Sequence, residues 1–325
     1  MIPVLLLAVP AVAPEFLWGV ALAFLAMLLY GSCMVAVSVV MRGMSGGPGS
    51  MLAAAAGVPL GLVLAALQLL WGTGVEPPSV WAVAAFVLAG ICSTFLGRWL
   101  VFKSIELIGP SSASGLQSTS PLITAVFGWI FLGQLIAPLG FVGLALGIAG
   151  LAAISVGIGQ AQQSATVSKD AGQRGLVYVN LLVGVASSAA YSGSHVFRAS
   201  AVRVWNEPLL GATIGAVAGL LALVAASHNK VSDYVREIRA NPAAARIYMG
   251  VGVLQFIAQA LVIASMKYIP AGVAALISMC TPLVVVPISY FALRKQENLT
   301  WATVLGICLS LGGIALVVLY GRAPA

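Results

Sequence analysis

Charge is what this chain has least of. Lys and Arg number 15 and Asp and Glu 8, together 7% of 325 residues, where soluble domains carry about 25%. A water-soluble fold could not cover its surface from so small a supply. Disorder is excluded as well, because 61% of the chain is hydrophobic and disordered chains are poor in such residues. The 36 glycines have no period of three, which excludes a collagen-like repeat. All eight acids, Glu15, Glu76, Glu106, Asp170, Glu207, Asp233, Glu237 and Glu297, fall at the ends of apolar runs or between them. No carboxylate is therefore placed at mid-membrane to carry a proton. His195 and His228 are the only histidines, and no HExxH occurs, so a membrane-embedded enzyme lacks its groups. Cys33, Cys92, Cys280 and Cys308 form no CxxC pair; no metal or other cofactor is expected. Neither a ring of charges nor a filter motif supports a channel.

What is present is apolar sequence in long runs. About 20 apolar residues cross the hydrocarbon as a helix, and the runs are continuously apolar rather than alternating as in a barrel. Charges and turn formers cut the chain into ten expected spans: 16–40, 50–70, 80–102, 111–132, 139–158, 175–200, 209–226, 247–266, 271–293 and 300–320. Residues 1–15 read as an N-terminal arm and 159–174 as a polar linker. Within 227–246, Val231, Tyr234, Val235 and Ile238 recur at helical spacing against Asp233, Arg236, Glu237 and Arg239. That pattern predicts a short amphipathic helix on the membrane surface, or a solvated connector. The fold class expected is an all-α polytopic membrane protein.

The two halves answer each other at an offset of 161. Tyr30 meets Tyr191, Arg42 meets Arg203, Phe95 meets Phe256, Arg98 meets Gln259 and Pro121 meets Pro282. After a two-residue insertion, Gly143 and Gly150 meet Gly306 and Gly313. The units are residues 16–158 and 175–320, with five spans each. Five is odd, so the second copy enters the membrane from the opposite side. Such inverted repeats are typical of secondary transporters, whose site lies at the midplane between the halves.

Several segments carry a family resemblance. They are Lys103-Ser104-Ile105-Glu106-Leu107-Ile108-Gly109-Pro110, Ser120-Pro121-Leu122, Phe131-Leu132-Gly133-Gln134, and Met266-Lys267-Tyr268-Ile269-Pro270-Ala271 through Thr281-Pro282-Leu283. With them the chain resembles the EamA-like drug/metabolite transporter superfamily, over both halves. The resemblance implies ten helices in two five-helix bundles around a central cavity, lined mainly by helices 1, 3, 4, 6, 8 and 9. Gln134 stands where the family often has an acidic residue.

Candidate substrate-binding residues are Arg98, Gln117, Tyr30, Tyr191, His195, Gln255 and Gln259. Arginine inside a span costs roughly 3 kcal/mol on the insertion scale. Three readings of Arg98 stay open: capture of an anionic substrate group, snorkelling beside Lys103, and a bond to helix-end carbonyls. Gln117 sits among hydroxyl-bearing residues, as a cavity wall or as glue between helices. Gln255 and Gln259, four apart, share a helix face. His195 and Arg198 share a side of the sixth span, one turn beyond Tyr191. Pro121 and Pro282 are expected to kink their helices, each freeing a carbonyl.

The function expected is secondary transport of small polar organic metabolites, amino-acid-like or otherwise anionic or zwitterionic, by alternating access, as an exporter or exchanger. A flippase for a lipid-linked substrate is the alternative. The expected partners are a small-molecule substrate and the lipid bilayer, with no nucleic acid. The chain is expected to act as a monomer or, through Gly143 and Gly147, as a homodimer. It belongs in the cell membrane. Ten Lys and Arg lie in the loops after odd-numbered spans and three on the other side, which puts both termini outside by the positive-inside rule.

Overall fold

In a computed structural model the chain is described over residues 13–40, 44–71, 75–100, 103–104, 117, 119–134, 136–163, 174–281, 283–285, 288 and 301–320. It is an all-α polytopic membrane protein. In lipid the backbone must satisfy its own hydrogen bonds, and an uninterrupted apolar run does so as a helix. The elements are α1 (Pro14–Val40), α2 (Gly46–Trp71), α3 (Val80–Gly90), α4 (Ser120–Leu132), α5 (Pro138–Gln163) and α6 (Arg174–Val204). Then come α7 (Pro208–Ala226), α8 (Val231–Ala240), α9 (Pro242–Ser265), α10 (Ala271–Met279) and α11 (Trp301–Tyr320). Each expected span is met by a helix, and α8 is the short amphipathic piece. Pro138, Pro208 and Pro242 open their helices, where a missing N–H costs nothing. Gly133, at φ 60°, closes α4 in the left-handed conformation that lacks a penalty only for glycine. The expected linker begins later than the charge pattern suggested, because α5 continues to Gln163.

The halves interleave instead of forming two separate bundles. Helix α1 packs on α9 and α10 of the other half, α3 on α6 and α7, α2 on α9, and α4 on α6. Exchange every helix for its repeat mate and the list reproduces itself: α1 against α9 becomes α6 against α3, and α2 against α9 becomes α7 against α3. Three further pairs, α2 with α7, α4 with α10 and α5 with α11, are each their own mate. This is a pseudo-twofold arrangement written in contacts.

Small residues make the crossings close. A Cβ on Gly313 would lie 2.5 Å from the Gly143 carbonyl oxygen, and one on Gly150 would lie 2.5 Å from that of Gly306. The glycine face of α5 is thus taken by α11 within the chain. At α3–α7, a Cβ on Gly90 would lie 2.0 Å from the Gly215 carbonyl oxygen; at α2–α9, one on Gly252 would lie 2.1 Å from that of Ala53.

Pro121 corrects an expectation. It sits in the first turn of α4, with Thr119 at the N-cap, and not in the interior of a continuous helix. The Thr119 carbonyl accepts from the N–H groups of Leu122 and Ile123. The Ser120 carbonyl is engaged by the hydroxyls of Thr124 (2.8 Å) and Ser192 (2.9 Å). The second half breaks at the same register: α10 ends at Met279, and Leu283 donates to the Cys280 carbonyl at 3.0 Å. Pro282 lies outside the described residues.

Helix α8 is held by protein as well as by its surroundings. Glu237 accepts the Ser45 N–H at 2.6 Å and the Ser45 hydroxyl at 3.1 Å, just ahead of α2. Ile238 packs at the Val40, Met44 and Tyr248 cluster. The second half therefore clamps the α1–α2 turn of the first.

Candidate functional site

The third span changes its winding before it ends. Ile91–Gly97 is π-helical, a local widening frequent at functional sites. The extra residue per turn brings bare Gly97 against the Tyr191 ring, 2.9 Å from where a Cβ would stand. It also sets the direction of Arg98, which follows it directly. Ser93 in this turn gives its proton to the Ala89 carbonyl at 2.9 Å, and Ser194 of α6 reaches the same carbonyl at 2.9 Å.

Arg98 lines a cleft of about 420 Å³, mouth included, with Thr94, Gly57, Gly252, Gln255 and Gln259. The cleft lies where α2 and α3 of the first half meet α7 and α9 of the second. Arg98 donates to the Ser50 carbonyl at 3.3 Å and lies beside Tyr191. The structure thus brings together four of the expected site residues: Arg98, Gln255 and Gln259 on the cleft, and Tyr191 behind it. The carbonyl bond of Arg98 is long for N–H···O and uses one of five donors.

The other three do not line this cleft. Gln117 accepts the Ser187 hydroxyl at 2.8 Å, which ties it to α6. Tyr30 is half-buried and packs against the main apolar core, within electrostatic range of both Arg98 and Arg198. His195 is buried at 7% exposure, and its Nδ1 has no partner among the described residues. Gln134, at the family's often acidic position, accepts the Ala271 N–H at 2.9 Å and so caps α10 across the halves.

Sequence reasoning paired Arg198 with His195 without naming it a site residue, and the structure buries it against the third span. Its side chain is 5% exposed and donates to the Ser93 hydroxyl oxygen at 2.9 Å. Position within a run could not separate a buried guanidinium from one reaching for the interface. Its three-residue spacing from His195 was the one available signal. Among the described residues, no cluster of His, Cys, Asp and Glu could hold a metal ion.

Comparison with known proteins fits this architecture. No curated protein sequence matches the chain. A solved structure described as "Crystal structure of protein" superposes with a TM-score of 0.66 at 18% identity, over 93% of this chain and 98% of that one. It shares the fold. A family model matches twice, over residues 17–156 and 179–319, and so takes in both repeats and nearly all the helices just described. The chain belongs to the EamA-like transporter family and is a membrane transporter of small molecules.

Proposed function

We propose that this transporter moves small polar organic metabolites, anionic or zwitterionic, by alternating access, as an exporter or exchanger. The observation that supports this reading is Arg98, a guanidinium on a cleft between the halves with most of its donors unspent among the described residues. An arginine at membrane depth faces water, protein or a ligand path, and this one borders a cleft walled also by Gln255 and Gln259. Exchange of conformations between interleaved repeats would open that region alternately to each side.

Counterflow tests the reading. Proteoliposomes loaded with malate, glycerol 3-phosphate, glutamate, alanine or glycerol are diluted into the labelled solute. Saturable uptake of at least one of the first four is expected, lost in Arg98→Gln. Scrambling of a labelled lipid without counterflow of any loaded solute would replace the reading with that of a flippase.

A further inference from the structure

We infer that the substrate bears a net negative charge and that its oxyanion group is held between Arg98 and Arg198. This rests on the transport reading and narrows it. Arg198 is a cation sealed into apolar helices, and Ser93 is the one side chain among the described residues to which it donates. The Ser93 proton is committed to the Ala89 carbonyl, so the hydroxyl presents only its lone pairs to Arg198. An unneutralised buried charge is costly unless paired. No described carboxylate approaches it. Glu15 and Glu207 stand at helix starts, Glu76 in a loop, and Asp233 and Glu237 on α8.

Two tyrosines join the arginines into one site. Arg198 bonds Ser93 and the Tyr191 ring lies against Gly97, both on the π-helical turn that Arg98 follows; Tyr30 of α1, the repeat mate of Tyr191, lies within electrostatic range of both guanidiniums. The tyrosine hydroxyls are neutral and can orient an oxyanion without cancelling charge. The repeat mates of the arginines are Gln259 and Val37, so neither cation is a by-product of the duplication. Two fixed cations, with no carboxylate beside them among the described residues, favour a ligand that carries the missing charge. A zwitterion would bring its ammonium to a site that already repels it. Carboxylate and phosphate monoester groups both offer the paired oxygens that a guanidinium fork binds.

The test is ligand-induced thermal stabilisation of the detergent-solubilised full chain. Probes are malate and glycerol 3-phosphate as anions, alanine as zwitterion and glycerol as neutral solute. At least one anion is expected to raise the melting temperature saturably, while alanine and glycerol do not. Malate and glycerol 3-phosphate tell the carboxylate and phosphate sources apart. Arg98→Gln and Arg198→Gln should each weaken the effective anion by roughly 30-fold or more, and Arg198→Lys should recover part of the loss. Stabilisation by alanine or glycerol, no response to either anion, or undiminished anion binding in both glutamine variants would overturn the inference. Should a glutamine variant fail to fold, the probe series on the native chain and Arg198→Lys decides. Anion binding without counterflow would sink the transport reading and leave the charge assignment standing. Counterflow confined to alanine would do the reverse.

Discussion

Replacing Gly90 by alanine asks whether the α3–α7 crossing is as tight as it is drawn. The new Cβ would stand 2.0 Å from the Gly215 carbonyl oxygen and 2.7 Å from its carbon. Backbone cannot swing aside as a side chain does. Bringing the oxygen out to the 3.4 Å of ordinary contact requires roughly 1.4 Å of helix separation, a cost of about 1–3 kcal/mol by analogy with overpacked cores. Gly250 and Gly312 supply the control, because a Cβ there meets nothing within 4 Å. Alanine at those two helical positions should be neutral or stabilise by about 0.5–1 kcal/mol. Melting of the purified protein, followed by size-exclusion recovery after heating, should place Gly90→Ala clearly below both controls. Equal melting of all three variants would refute the packing argument.

Three further expectations follow from other contacts. Glu237→Ala removes both acceptors of Ser45 and should cost about 1 kcal/mol locally, in the manner of a lost cap; faster hydrogen exchange at residues 45–50 checks it, and unchanged exchange would show that the clamp is idle. Pro121→Ala adds an N–H at a helix start, so melting should stay within about 1 kcal/mol of the native chain, while counterflow slows if the break at Thr119 matters to turnover. A large stability gain would return Pro121 to the helix interior. Finally, in a background without the four native cysteines, a cysteine near Gly321 should react with an impermeant thiol reagent in intact cells, and one at residues 160–173 should not. The opposite labelling would reverse the proposed orientation.

How much of this was legible depended on whether the information was local. Apolar runs and their Pro and Gly punctuation marked a helix in every span, because lipid leaves the backbone little choice, and the ends of α1, α2, α7 and α11 fall within a few residues of the expected bounds. The register of 161 was visible in Tyr30 and Tyr191, and the structure breaks at matching positions, near Thr119 and Cys280. The π-helical turn was not visible: nothing in Ile91-Cys92-Ser93-Thr94-Phe95-Leu96-Gly97 announces an extra residue per turn, which is settled by Tyr191 from another helix. The Pro121 kink was misjudged for a related reason. A proline in mid-span reads as interior to a helix, unless one knows that the helix restarts at Ser120. Arg98 was recognised by its cost in lipid, whereas Arg198 needed Ser93, 105 residues away, to define its surroundings.

The aromatic rings at two crossings differ by one oxygen atom. Phe86 lies against Gly211, where a Cβ would come within 2.2 Å of the ring, and meets Trp205 edge-on at 6.3 Å. Tyr248 lies against Gly49 in the same manner, at 2.3 Å, but its hydroxyl is buried with no partner among the described residues. A dry, unpaired hydroxyl forfeits roughly 1–3 kcal/mol that water would return, and a phenyl ring has no such debt. Wetting is therefore more favourable at the α2–α9 seam than at the α3–α7 seam. A duplicated architecture thus carries an uneven hydration balance, and Tyr248→Phe should reduce that inequality, read as slower hydrogen exchange along α2 and the start of α9.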